Sequence, residues 1–149
     1  MSDIVIRPVA PAERQQWEPL WLGYLAFYEK TVPVETTNFT WKRLVDPKDL
    51  SIEGMIAWEG ERALGLVQYL HHASTWSVGG NVYLQDLYVV PEARGKRIGR
   101  RLIAAVTETS KAKGAAVLYW QTEEFNGTAR RLYERVAKRA PFVRYNIEL

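Results

Sequence analysis

No cysteine occurs in this chain, which excludes disulfides, a thiolate nucleophile and cysteine-ligated metals. Histidine is almost as scarce. His71 and His72 are the only two, and as neighbours on a strand they would face opposite ways, so no metal site is expected. No apolar run approaches the roughly 20 residues that span a bilayer. The start, Met1-Ser2-Asp3, lacks the basic-then-apolar pattern of a secretory signal. The chain therefore reads as cytoplasmic, with no membrane partner. Repeats, low-complexity tracts and linkers are missing too, so residues 1–149 read as one domain. One further absence is local: no Asp or Glu falls between Arg94 and Arg101. With a net charge of only +3, that concentration is the footprint of a polyanion. The six tryptophans are not interleaved with basic residues, so nucleic acid is not the expected polyanion.

What is present is an ordinary globular balance, 47% hydrophobic and 25% charged, arranged around residues 83–102. This stretch begins in an apolar, β-branched and aromatic run, residues 82–90, long enough for one buried strand. Pro91 stops it, having no N–H for a ladder. Arg94, Gly95, Lys96, Arg97, Ile98 and Gly99 then lead into a helix whose apolar face carries Ile98, Leu102, Ile103 and Val106. Strand, glycine-bearing basic turn and helix make a phosphate cradle, with free N–H groups and the positive dipole end at the turn. Arg94, Lys96, Arg97, Arg100 and Arg101 surround it with basic side chains.

Taken in order, residues 3–9 read as a first strand and residues 12–30 as an amphipathic helix with Trp17, Leu20, Trp21, Tyr24, Leu25 and Tyr28 on one face. Pro19 implies a kink or a helix start near it. Residues 31–38 read as a loop and residues 40–44 as a short second helix. Strands follow at 51–58 and 64–71, joined by a polar turn at 59–62, with Gly65 marking a bulge or close backbone approach. Residues 77–81, with Gly79 and Gly80, read as a turn into the central strand. Gly114 suits a helix C-terminus, residues 115–121 a buried strand, and Asn126 the cap of a last helix to about residue 137. Residues 142–149 read as a closing strand. The order β-α-α-β-β-β-α-β-α-β predicts a mixed α/β fold, a central mixed sheet with helices on both faces.

The basic turn resembles the acyl-CoA-binding core of the GNAT superfamily of N-acetyltransferases. Arg94 and Gly99 match the ends of its motif, and Arg97 stands where a middle glycine is usual. The stretch Asn126-Gly127-Thr128-Ala129-Arg130-Arg131-Leu132-Tyr133 matches the family's last-helix pattern in full. Residues 117–145 are most similar to the branch containing yeast histone and polyamine acetyltransferases. The resemblance implies an acetyl-CoA-dependent N-acetyltransferase that moves acetyl to a primary amine by direct transfer in a ternary complex. The acceptor could be a polyamine, a small amine or a lysine of a basic peptide. A non-catalytic acyl-CoA-binding or sensing module of the same fold is the alternative. The superfamily commonly closes with two strands where this tail has room for one, which a homodimer sharing the C-terminal strand would resolve.

The resemblance also implies the site. The backbone of Leu87, Tyr88 and Val89 would pair with pantetheine. Arg94, Gly95, Lys96, Arg97, Ile98, Gly99 and Arg100, with Asn126 and Arg130, would hold the rest of acetyl-CoA. Tyr133 would be the acid that protonates the leaving thiolate, a phenol being protonated at neutral pH. Gln85 occupies the position where many relatives carry a basic glutamate, and an amide cannot take a proton. Asp86 follows it, on the opposite face by strand alternation. Glu123 is then the candidate base, and Glu124 with Tyr24, Tyr28 and Glu29 the candidate amine site.

Overall fold

Why the helices take opposite sides of one sheet is visible in the strand patterns. A computed structural model of the chain describes residues 3–123 and 126–149. Its strands are β1 (Ile4–Pro8), β2 (Glu53–Glu59), β3 (Arg62–Ser74), β4 (Ser77–Val89) and β5 (Val117–Tyr119), in the spatial order β1-β2-β3-β4-β5. The first four pair antiparallel, and β5 pairs with β4 in parallel. Alternate residues of β2 and β3 serve different cores. Met55, Ala57, Leu64 and Val67 pack with α3 (Ile98–Ala112) through Leu102, Ile103 and Val106. Ile56, Trp58 and Leu66 pack with α1 (Arg14–Phe27) through Trp17, Leu20, Trp21 and Leu25. Helix α2 (Val34–Val45) lies on the α1 side, where the Trp21 indole donates to the Thr37 hydroxyl at 3.0 Å. Helix α4 (Gly127–Val136) lies on the α3 side through Leu132, Tyr133 and Val136.

The mixed sheet with helices on both faces is as expected, and three local expectations are corrected. The segment read as a loop, residues 31–38, is helical from Val34 on, because Pro33 has the extended backbone that opens a helix. Gly79 and Gly80 do not form the turn. The chain reverses at residues 75–76, and both glycines lie inside β4. A side chain at Gly79 would land 1.8 Å from the Gly114 carbonyl oxygen, so the glycine is there for close approach. His71 and His72 pair in regular succession with Val82 and Asn81, as the alternation expected. Their rings bond the Gly79 carbonyl and the Tyr119 hydroxyl. Finally, residues 142–149 form no strand. Phe142, Tyr145 and Ile147 are 83%, 91% and 87% exposed, and none of the five strands pairs with this segment.

Gly65 meets its expectation in both respects. Ala57 pairs with Gly65 and Trp58 with Ala63, leaving Leu64 as an extra residue. A side chain at Gly65 would come within 3.1 Å of the Leu102 side chain and of the Tyr88 carbonyl oxygen.

Candidate active site

The site begins where two strands part. β5 pairs with β4 only from Asn81 to Tyr83. From Leu84 to Val89 no strand pairs with that edge of β4 among the described residues, which leaves the backbone of Leu87, Tyr88 and Val89 able to accept an extended ligand as an added strand. At the end of β4 a single 3-10 turn, Pro91–Ala93, leads to the basic turn. Gly95 has φ +87 with open space around it, and Arg97 has φ +61 as the residue before α3. No side chain caps α3, so its first N–H groups are left for an anion.

The basic residues divide. Lys96, Arg97 and Arg100 are exposed around the turn. Arg94 donates from Nε to the Val89 carbonyl at 3.1 Å, and its guanidinium lies over the rings of Phe27 and Tyr88. Arg101, expected among the phosphate-binding residues, turns away and donates to the Ile4 carbonyl at 2.8 Å. Ile98 is 1% exposed and belongs to the core, so only its backbone can meet a ligand. A Cβ added at Gly99 would meet Leu132 of α4 at 3.8 Å, which puts the last helix beside the first turn of α3.

On the other side of the gap between β4 and β5 is a small pocket. Tyr24 of α1 and Tyr28 just past its end, Leu84, Gln85 and Leu87 of β4, Trp120 and Gln121 beyond β5, and Tyr133 of α4 line it. Tyr133 packs edge-on against Trp120, with ring centroids 5.5 Å apart. Burial, with Tyr28 beside it, pushes the Tyr133 phenol up to about 12, so it stays protonated. Burial likewise raises Tyr28, and the charge of nearby Glu123 adds to that. Glu123 itself is exposed, outside the residues that line the pocket. Glu29 is exposed past the end of α1 with φ +53 and does not line the pocket either. Glu124 lies outside the described residues. The Asn126 side-chain oxygen caps α4 by accepting from Ala129 N–H at 3.2 Å, and Arg130 pairs with Glu134 at 3.5 Å.

Sequence reasoning missed the residues behind Tyr24. Gln68 pairs with Asp86 and Tyr69 with Leu84, so Gln85 is an extra residue in β4. The bulge leaves Gln85 exposed at the pocket and sends Asp86 into the α1 face, 9% exposed. The Gln68 amide donates to the buried Asp86 carboxyl at 2.7 Å, and the Tyr24 hydroxyl lies 3.5 Å from the Gln85 carbonyl beside it. A polar pair, Gln85-Asp86, inside an otherwise apolar strand was the available signal.

Comparison with known proteins gives a consistent result. The sequence profile of the acetyltransferase (GNAT) family matches residues 13–137. A D-amino-acid N-acetyltransferase of Saccharomyces cerevisiae is 35% identical over 144 residues, covering 95% of this chain and 89% of the yeast protein. A thialysine N-epsilon-acetyltransferase of Caenorhabditis elegans is 29% identical over 136 residues, 91% of this chain and 83% of that protein. Among solved structures, an aminoglycoside N-acetyltransferase in complex with CoA superposes with a TM-score of 0.77 over 99% of this chain and 97% of its own, at 18% identity.

Proposed function

The chain belongs to the acetyltransferase (GNAT) family, and on that premise we propose that it moves the acetyl group of acetyl-CoA onto a primary amine by direct transfer in a ternary complex. The observation that carries this reading is Tyr133. Its protonated phenol lines the pocket that opens between β4 and β5, beside the unpaired edge of β4. Acetyl-CoA fits what is there. The unpaired edge matches pantetheine, and the uncapped start of α3 with its open Gly95 matches the pyrophosphate. Leu87, Tyr88 and Val89 would hold the chain, while Gly95, Ile98 and Gly99 offer backbone N–H groups. Lys96, Arg97 and Arg100 add charge, with Arg94 shaping the turn and Asn126 and Arg130 closing it from α4. Bound there, the thioester supplies an activated acyl group. The protein supplies N–H groups toward its carbonyl and the Tyr133 proton for the departing sulfur.

The acceptor side is aromatic and acidic. Tyr24 and Tyr28 present ring faces and hydroxyls, and Glu123 at the rim draws a cation or takes its proton. Glu124 and Glu29 extend that acidity in sequence. Relatives that act on an amino acid and on thialysine support a small amine over a long basic peptide. The test is release of CoA thiol from acetyl-CoA across amino acids, thialysine, polyamines and lysine peptides. Turnover with at least one small amine is expected, with a KM that rises in Glu123→Gln. Activity confined to lysine peptides would overturn the small-amine reading, and no turnover with any amine would overturn the assignment.

We further propose that the C-terminal segment completes the sheet of a second copy. Val143, Tyr145, Ile147 and Leu149 recur with the period of a strand and are 76–119% exposed. No second strand lies beside β5 among the described residues. Sedimentation equilibrium should give twice the chain mass, and deletion of residues 142–149 should return a monomer. A monomeric full chain at micromolar concentration would end this proposal.

A further inference from the structure

The last rung of the ladder between β4 and β5 is a pair of tyrosines. Tyr83 pairs with Tyr119, and their rings stack, centroids 5.0 Å apart and planes 19° from parallel. Their neighbours fix the face they occupy. Val82, Leu84 and Leu118 belong to the α3 core, so strand alternation turns Tyr83 and Tyr119 to the α1 face. Among the described residues neither ring joins the core under α1 or the one under α3, and both stay half-buried. His72 holds the outer ring from behind. Its Nδ1 lies 2.8 Å from the Ala73 carbonyl oxygen, which only accepts, so that nitrogen carries the proton. In the neutral imidazole Nε2 is then an acceptor, and it lies 2.8 Å from the Tyr119 hydroxyl, whose proton it takes. The phenol is tied down at its tip.

We propose that this tyrosine pair is the subsite for the body of the acceptor, and that it selects a primary amine joined by a short linker to an aromatic ring. This rests on the proposed amine acetylation at the adjoining pocket and names the class of its acceptor. Continuity with that pocket carries the argument. The residues next along each strand, Leu84 and Gln85 after Tyr83, Trp120 and Gln121 after Tyr119, line it. The pair thus stands at the apex where β4 and β5 part. Tyr24 reaches the pocket over the same α1 face, its hydroxyl 3.5 Å from the Gln85 carbonyl oxygen. Tyr83 precedes Gln85 by two residues, roughly 6–7 Å along a strand. A two-carbon linker and half a ring cover that span, with the nitrogen at Gln85 and the ring at Tyr83.

The surroundings of the pair favour a ring over a second charge. Leu70 lies opposite Tyr83 on β3 and His72 opposite Asn81, while Val117, 50% exposed, is two residues before Tyr119. These flanking residues carry no carboxylate, so the second ammonium of a polyamine finds no ion-pair partner beside the rings. Burial and then the neighbouring Tyr83 raise the Tyr119 phenol, which keeps it neutral and able to donate to His72. A third ring laid against an offset stack gains the aromatic contact, worth roughly 2- to 12-fold in affinity beyond the burial of its area. Because the rings lie outside the reacting pocket, this gain goes to holding and orienting the acceptor.

The test measures kcat/KM for 2-phenylethylamine, propylamine and 1,4-diaminobutane in wild type, Tyr83→Leu, Tyr119→Leu and Tyr119→Phe. Wild type should favour 2-phenylethylamine over propylamine by roughly tenfold or more. Each leucine variant keeps apolar bulk and removes one ring, so that ratio should fall to within about threefold, through the KM of the aromatic amine. Tyr119→Phe keeps the ring and should keep the preference, and the KM for acetyl-CoA should not change in any variant. Either leucine variant decides the matter should the other fail to fold. A purely structural role slows both monoamines alike and leaves the ratio untouched, which overturns the subsite. So does a wild type that prefers the diamine or ignores the ring. If the leucine variants shift sedimentation instead of the ratio, a second copy covers this face and the subsite is again overturned. Turnover of other amines but none of these three sinks the subsite alone; no turnover with any amine sinks the acetyltransferase reading with it.

Discussion

The two sides of the outer half of β4 are built from different materials. On the side proposed for the donor the groups open to a ligand are mostly backbone: the unpaired edge past Tyr83, the open Gly95 and the uncapped first turn of α3. On the side proposed for the acceptor they are side chains from α1, β4, the segment after β5 and α4 that converge on one pocket. Backbone recognition suits a ligand that never changes, because main-chain N–H groups are fixed by the fold and survive substitution. Side-chain recognition suits an acceptor that differs among relatives, because it can be altered one residue at a time without unravelling a strand. Within one family, the donor site should therefore tolerate mutation in binding terms better than the acceptor site does in rate terms.

The largest effect that sharpens this contrast is at Tyr133. Tyr133→Phe keeps the ring against Trp120 and removes a single donor. We expect kcat to fall roughly 10²-fold or more, with acetyl-CoA affinity within about twofold of wild type. Its raised pKa sets the pH behaviour. With the phenol pushed up to about 12, its ionisation removes no activity near pH 10, where an ordinary phenol titrates. In stability terms, burial of the neutral phenol is fully favourable below about pH 10 and is lost as pH rises through about 12. A Tyr133→Phe enzyme that turns over at the wild-type rate would remove the acid role and leave Tyr133 as packing.

The same division explains what could be read from the residues alone. The donor side is legible because its signals are local: an apolar run stopped by Pro91, then Gly95 and a basic cluster before the amphipathic face of α3. The last helix is legible for the same reason, with Asn126 as cap and Leu132, Tyr133 and Val136 on one side. The acceptor side is not, because it depends on a single extra residue. One bulge at Gln85 changes which face every later side chain of β4 takes, so Leu84 and Leu87 share a core though they are three apart. Period-two reasoning cannot foresee that shift, and with it Asp86 was lost from view. The closing strand failed for a different reason. Residues 142–149 have the pattern of a strand, but a strand needs a partner edge, and pattern alone does not supply one.

The smallest effect probes the one donor-side position where backbone and side chain are in conflict. Arg97 holds φ +61 with a full side chain, a conformation that costs a non-glycine residue about 1–2 kcal/mol. Glycine would remove that strain but lose more freedom on folding, a term of about 0.4–1 kcal/mol in the opposite sense. The balance for Arg97→Gly is a gain of about 0 to 1.6 kcal/mol, each kcal/mol read as a melting temperature roughly 2–4 °C higher for a chain of this size. If recognition here is mostly backbone, acetyl-CoA affinity in the variant should fall by only about tenfold or less, about 1.4 kcal/mol. Its salt dependence should flatten because one phosphate-facing cation is gone. The two readouts move in opposite directions only if the arginine is retained for its charge against the conformational preference of its own backbone. A lower melting temperature would show that the Arg97 side chain stabilises the turn. A larger loss of affinity would show that the donor side, too, is recognised chiefly by side chains.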